Sequence, residues 1–115
     1  MLNPPHDDPL FRARISLRHG AKADAVTAAI DEALKPWMLQ AAAGANVAVT
    51  RGDKPKRLAN LNDDLRATYG NAVHSYVLAW LHDRNSVDHG QGGDVPIRRI
   101  ELMIEGIESL IGEDS

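Results

Sequence analysis

The sequence predicts an α+β fold, mainly helical, with a small two- or three-stranded sheet, one crossover helix and two C-terminal helices. Three observations carry this. Apolar and polar residues alternate from Leu10 to His19, apolar residues recur three and four apart through most of the remainder, and Gly- or Pro-bearing segments separate these patterns.

The alternation places Phe11, Ala13, Ile15 and Leu17 on one side and Arg12, Arg14, Ser16 and Arg18 on the other, which predicts a half-buried strand over 10–19. Beyond Gly20, the positions Val26, Ile30, Ala33, Leu34, Trp37, Met38 and Ala41 predict an amphipathic helix over 23–42, with Asp24 placed to cap it. Pro36 lies inside that pattern and should kink or break the helix near Lys35, because it lacks a backbone donor and crowds the preceding turn. A second strand is expected over 46–51, followed by a turn at 51–55. Strand, helix and strand in that order form a crossover unit with parallel strands. Two strands are marginal alone, so either 54–58 folds back as a third or a second chain completes the sheet.

From Leu58 the period is helical. Leu61, Leu65, Tyr69, Ala72, Val73, Tyr76 and Trp80 share a stripe, and the half from Ala72 to Leu81 is apolar almost all round, the mark of a central buried helix. A glycine-rich segment, 85–94, should be an exposed, flexible loop. The last helix begins near Val95 and Pro96, and its Ile97, Ile100, Ile104, Ile107 and Ile111 repeat like the seam of a coiled coil. That seam is about two heptads long, too short to stand alone, and marks an expected oligomer interface. Gly106 lies on the opposite face. The expected organisation is a tail over 1–9, one α+β domain over 10–112 and a tail over 113–115.

The chain has 115 residues, enough for one core, and that core must be aliphatic because hydrophobic residues make up 43% and aromatics 4%. The absence of cysteine excludes disulfides, thiolate metal sites and a thiol nucleophile. The opening residues have neither a basic start nor an apolar run, so no secretory signal is expected. The longest uncharged stretch, 36–50, is short of a membrane span and interrupted by Gln40 and Asn46. A cytoplasmic location and no membrane partner are the expectation. Net charge is −3, but residues 1–60 hold nine Lys or Arg against six acids, net +3, whereas 61–115 hold four against ten, net −6. Such polarity attracts an anion at one end or a second copy of the chain.

Candidate chemistry is sparse. His74 and His82 are eight residues apart on one helix, about 12 Å, too far to share an ion. A looser set of His82, Asp83, Asp88 and His89 lacks any ligand spacing, and no metal or cofactor is expected. The loop ending in Gly92 and Gly93 followed by Arg98 and Arg99 has the ingredients of an anion site, free backbone donors at a helix start. It matches neither a Walker loop nor a dinucleotide fingerprint, and an ordinary linker accounts for it. Arg12, Arg14 and Arg18 on the first strand, joined by Lys54, Lys56 and Arg57 if the strands pair, make a basic patch suited to nucleic acid. In outline this resembles ribbon-type regulators, although a strand and turn intervene before the next helix. The bland counterpart is an edge strand guarded by arginine against aggregation. No nucleophile elbow or Ser-x-x-Lys pair appears. The leading expectation is a non-catalytic interaction or assembly protein, a homodimer or small subunit of a larger complex whose partner is itself or another protein. A nucleic-acid-binding regulator is the alternative, and an anion- or metal-dependent enzyme the third reading.

Overall fold

The computed structural model describes residues 8–91 and 95–113. The chain folds as helices α1 (Pro9–Arg18), α2 (Lys22–Thr27), a π-helical segment Ala28–Leu34 and α3 (Lys35–Ala45). These are followed by a hairpin of β1 (Thr50–Arg51) and β2 (Lys54–Pro55), then α4 (Leu58–Tyr69), α5 (Asn71–Ser86), a second π-helical segment Val87–Gln91, and α6 (Ile97–Glu113).

The first segment is a helix, which corrects the expected strand over 10–19. Asp8 caps it, its carboxylate accepting from the Leu10 backbone N–H at 3.0 Å, and Pro9 occupies the first turn, where its fixed φ and missing donor do no harm. The alternating apolar set is also partly a helical set: Leu10, Ala13 and Leu17 fall three and four apart and are the buried ones, while Phe11 is exposed. Gly20, at φ +76°, ends α1 through bonds from Gly20 N–H to Leu17 O and from Ala21 N–H to Ser16 O.

Pro36 does not break its helix. The turn before it widens into π geometry, with the Lys35 backbone N–H bonded to Ile30 O, five residues back. That extra residue in the turn relieves the clash the proline ring would make in an α-helix, so the chain remains helical to Ala45. Asp24 lies in the first turn of α2 and makes no capping bond. Asn46, in the left-handed region at φ 59°, closes α3, and the Val47 N–H reaches back to Ala42 O at 2.9 Å.

The only strands among the described residues form an antiparallel hairpin, Thr50 opposite Pro55 and Arg51 opposite Lys54, with Gly52 at φ +65° in the turn. Segment 54–58 therefore folds back in part, as sequence allowed, but against β1 alone. Because 10–19 is helical, there is no parallel pair and no crossover unit.

The long helix expected from Leu58 is two helices. Gly70 adopts φ 94°, ψ 163°, a backbone region open to glycine and strained for other residues, which ends α4 and starts α5 in a new direction. α5 is also less buried than its apolar circumference suggests: Val77 and Leu81 face the core, but Tyr76 and Leu78 face solvent. The centre of the molecule is instead Ala25–Leu34 together with Met38, Leu65, Ile100, Met103, Ile104 and Ile107, an aliphatic core as composition required. The segment expected as a flexible loop continues helically through Gln91, with Val87 buried and the break at His89 and Gly90. Gly92, Gly93 and Asp94 lie outside the described residues. Lys22 Nζ donates to Val95 O at 2.6 Å, tying the start of α2 to the approach to α6. No helix among the described residues is long and apolar enough to cross a membrane.

Candidate docking face

The isoleucine seam of α6 is the first candidate to locate. Ile100, Ile104 and Ile107 are fully covered by the chain's own α1, α2 and Ala28–Leu34, and Ile111 is partly covered. Only Ile97 is substantially exposed, in a shallow groove with Arg14, Leu17, Arg18, Glu101 and Glu105. The spacing that marks a seam is thus satisfied inside one chain, and a second copy has no access to its centre.

A different face of α6 is open. Leu102, Gly106, Ser109 and Leu110 recur three and four apart on one stripe, and beside them α5 presents Val73, Tyr76 and Trp80. These seven residues, none charged, line a groove of about 470 Å³. Tyr76 is 62% exposed and Leu102 49%. Tyr76 and Trp80 stack, ring centroids 6.2 Å apart and planes 19° from parallel, which orders both rings before any partner arrives.

Gly106 makes that arrangement fit. A Cβ at this position would sit 2.5 Å from Trp80 Cζ2, so the indole lies flat on bare helix backbone. Gly106→Ala should tilt the indole outward and unstack it from Tyr76. Because alanine stabilises a helix interior by about 0.5–1 kcal/mol over glycine, the net stability change should be small while the tryptophan emission moves to longer wavelength. Parallel fluorescence and thermal melts check both halves of this expectation.

Below the groove, α5 and α6 are clamped by Asp83 and Arg99. The Asp83 carboxylate is buried and receives Arg99 Nη2 at 2.6 Å and Nε at 3.2 Å. At the other end of α5, a polar cluster fixes the α4–α5 corner. Fully buried Asn62 donates to His74 O at 3.0 Å and accepts from the Tyr69 hydroxyl, while His74 Nε2 lies 2.8 Å from Asp63 Oδ1. Burial, and secondarily the Asp63 carboxylate, push the Tyr69 hydroxyl well above the ordinary tyrosine range. Trp37 of α3 stacks on the same ring at 5.6 Å.

The basic residues do not form one patch. On a helix, Arg12 points away from Arg14 and Arg18. Arg12 pairs with Glu32 at 2.8 Å and Arg14 with Glu108 at 3.0 Å, acids of neighbouring helices, while Arg18 is exposed at the end of α1. Lys54, Lys56 and Arg57 lie at the hairpin, where α1 forms no sheet with them. Of the anion-site residues, Gly92 and Gly93 are outside the described set, Arg99 is engaged by Asp83, and Arg98 lies 3.3 Å from Glu101. His89 Nδ1 contacts Asn85 O at 2.7 Å, and no group of three or more His, Asp or Glu converges among the described residues.

Sequence reasoning passed over Tyr76, Trp80, Leu102, Gly106 and Leu110 as a site because the first two fit the core stripe of an unbroken helix. The signal was a second apolar stripe on α6, at 102, 106 and 110, outside the isoleucine seam. No family model, curated protein or solved structure matches the chain, which leaves the chemistry of its own faces as the guide to function.

Proposed function

We propose that this protein is a non-catalytic assembly module that pairs with a second copy of itself through the α5–α6 face. The observation that carries the reading is the uncharged groove in which exposed Tyr76 and Leu102 flank the Trp80–Gly106 contact. A two-fold interface needs one patch to hold both a projection and its complement. Here the Tyr76 ring projects from α5, and the open groove beside it, lined by Ser109 and Leu110 of α6, can take the same ring from a second copy, so α5 of each copy can seat on α6 of the other. An exposed apolar patch with a polar border is the usual mark of such a surface. The face is confined to a few residues of two helices, so the pairing is expected to be weak, with a dissociation constant on the order of 10 μM.

Light scattering coupled to size exclusion tests this. At 100 μM loading the mass should approach twice the 12.5 kDa of one chain and fall towards one chain on dilution. Leu102→Glu, which places a charge on the exposed face without touching the core, should give monomer throughout with an unchanged far-ultraviolet spectrum. A wild-type chain that stays monomeric at 100 μM contradicts the reading.

A further inference from the structure

The cations of this chain are disposed in several ways: Lys22 and Arg66 bond neutral oxygens, Arg18 and Lys35 are exposed cations of α1 and α3, and the rest either pair with acids or cluster at the hairpin. Arg12, Arg14, Arg84, Arg98 and Arg99 each lie against a carboxylate of another residue. Arg51, Lys54 and Arg57 are exposed and form no ion pair with a described residue. These three fall within seven positions, 51–57, together with Lys56 and against the single carboxylate of Asp53, in a chain whose net charge is −3. Lys56 is held otherwise: its Nζ lies 2.7 Å from Asp64 Oδ2 and pins the returning arm of the hairpin to α4.

Folding does not account for this concentration. Every residue from 48 to 55 is exposed, so the hairpin buries no side chain, and a two-stranded ribbon of this length has little stability of its own. It is ordered by its short ladder, by Gly52 in the turn and by the Lys56 N–H to Val49 O bond at 2.9 Å. Protecting bare strand edges from aggregation is a use for Lys54 and Pro55, but one cation and a proline suffice for that.

We propose that the hairpin is a phosphate-backbone contact for duplex nucleic acid, with Arg51, Lys54 and Arg57 each neutralising a phosphate. The chemistry of the tip favours this partner over others. Residues 50–57 include no aliphatic or aromatic side chain apart from Pro55, and Val49 beside them is one small side chain, too little to anchor the ribbon in a bilayer or in a buried pocket on a protein. Affinity at this ribbon has to be Coulombic, and a duplex supplies one negative charge per roughly 1.7 Å of axis. The contact proposed is with phosphates, which carry no sequence information, so binding should depend little on base sequence. This surface is separate from the α5–α6 face and does not depend on it.

The test is fluorescence anisotropy of the full chain with a labelled 20-base-pair DNA duplex at 50 mM salt. Binding is expected with a dissociation constant between about 1 and 100 μM and a log–log salt slope of about −3, as three phosphate contacts require. The triple variant Arg51→Glu, Lys54→Glu, Arg57→Glu should weaken binding at least about tenfold and flatten the slope. Its circular dichroism should be unchanged, since Arg51, Lys54 and Arg57 are exposed and the Lys56–Asp64 pair that ties the hairpin to α4 is left intact. Lys35→Glu, at an exposed cation of α3, should change affinity less than about threefold, which separates a local contact from a general charge effect. Absence of binding at 100 μM protein, or equal binding by the triple variant, overturns the proposal. So does competition by poly-glutamate as effective as unlabelled duplex at equal charge, which assigns the ribbon to an acidic protein.

Discussion

Ile104→Ala is expected to destabilise the folded chain by about 2–5 kcal/mol, and by the same amount at every protein concentration. Ile104 is fully buried, packed within the cluster that includes Met103 and Ile107 and is roofed by Ala28–Leu34. Removing three methyl or methylene carbons there forfeits their transfer free energy and leaves a cavity that the rigid, Ala-rich wall opposite cannot fill. Against a total stability of about 5–15 kcal/mol, that is a large fraction. The concentration independence is the informative part. Pairing through the α5–α6 face shifts the midpoints of wild type and variant alike with concentration, whereas a seam that joined two chains would make the difference between them depend on concentration. Urea denaturation at 5 and 100 μM, wild type and variant side by side, measures both effects.

Asn62→Ala should cost about 2–3 kcal/mol, more than its volume implies. Its side chain is the shared partner of the Tyr69 hydroxyl and the His74 carbonyl, so truncation strands a donor and weakens the α4–α5 corner that Gly70 creates. The same cluster sets an alkaline limit. The Tyr69 hydroxyl is raised above its ordinary value of about 10 in the fold, first by burial and then by Asp63, so the folded state favours the protonated phenol. Its contribution is complete below the unfolded value and is lost as pH rises through and beyond it. Stability should therefore fall above about pH 10, and Tyr69→Phe should remove part of that fall at the expense of one hydrogen bond. Melting curves from pH 8 to 11 for the wild type and Tyr69→Phe decide this.

Which features were legible in the sequence follows from how many physical signals each segment offered. The α6 periodicity picked out Ile100, Ile104 and Ile107, which are buried, because spacings of three and four define one apolar face, but it also included exposed Ile97 and left out buried Met103. Residues 10–19 carried two compatible patterns, alternation and a helical set at 10, 13 and 17; the deciding signals were Asp8 and Pro9, a cap and a first-turn proline that favour helix. Pro36 was a sound reason to expect a break, and the π turn that absorbs it depends on tertiary packing of Ala28–Leu34, which local sequence does not encode. Gly70 lay unnoticed within a continuous apolar stripe, so α4 and α5 merged into one helix and Tyr76 passed for core, whereas Trp80 is partly buried and does pack against it. Once Gly70 turns the chain, the same stripe divides into a buried portion at Leu61 and Leu65 and an exposed one at Tyr76. The docking face could not be read from the sequence for that reason, since it exists only where Gly106 of α6 admits the Trp80 ring of α5.

The α5–α6 face is tested most directly by a dilution series of the ¹⁵N-labelled protein, followed residue by residue in two-dimensional amide spectra from 300 to 10 μM. Amide resonances of Val73, Tyr76, Trp80, Leu102, Gly106 and Leu110 should shift progressively with concentration while those of α1, α2 and the hairpin stay fixed. Shifts confined to any other surface, or spectra identical at both ends of the series, would contradict self-pairing through this face.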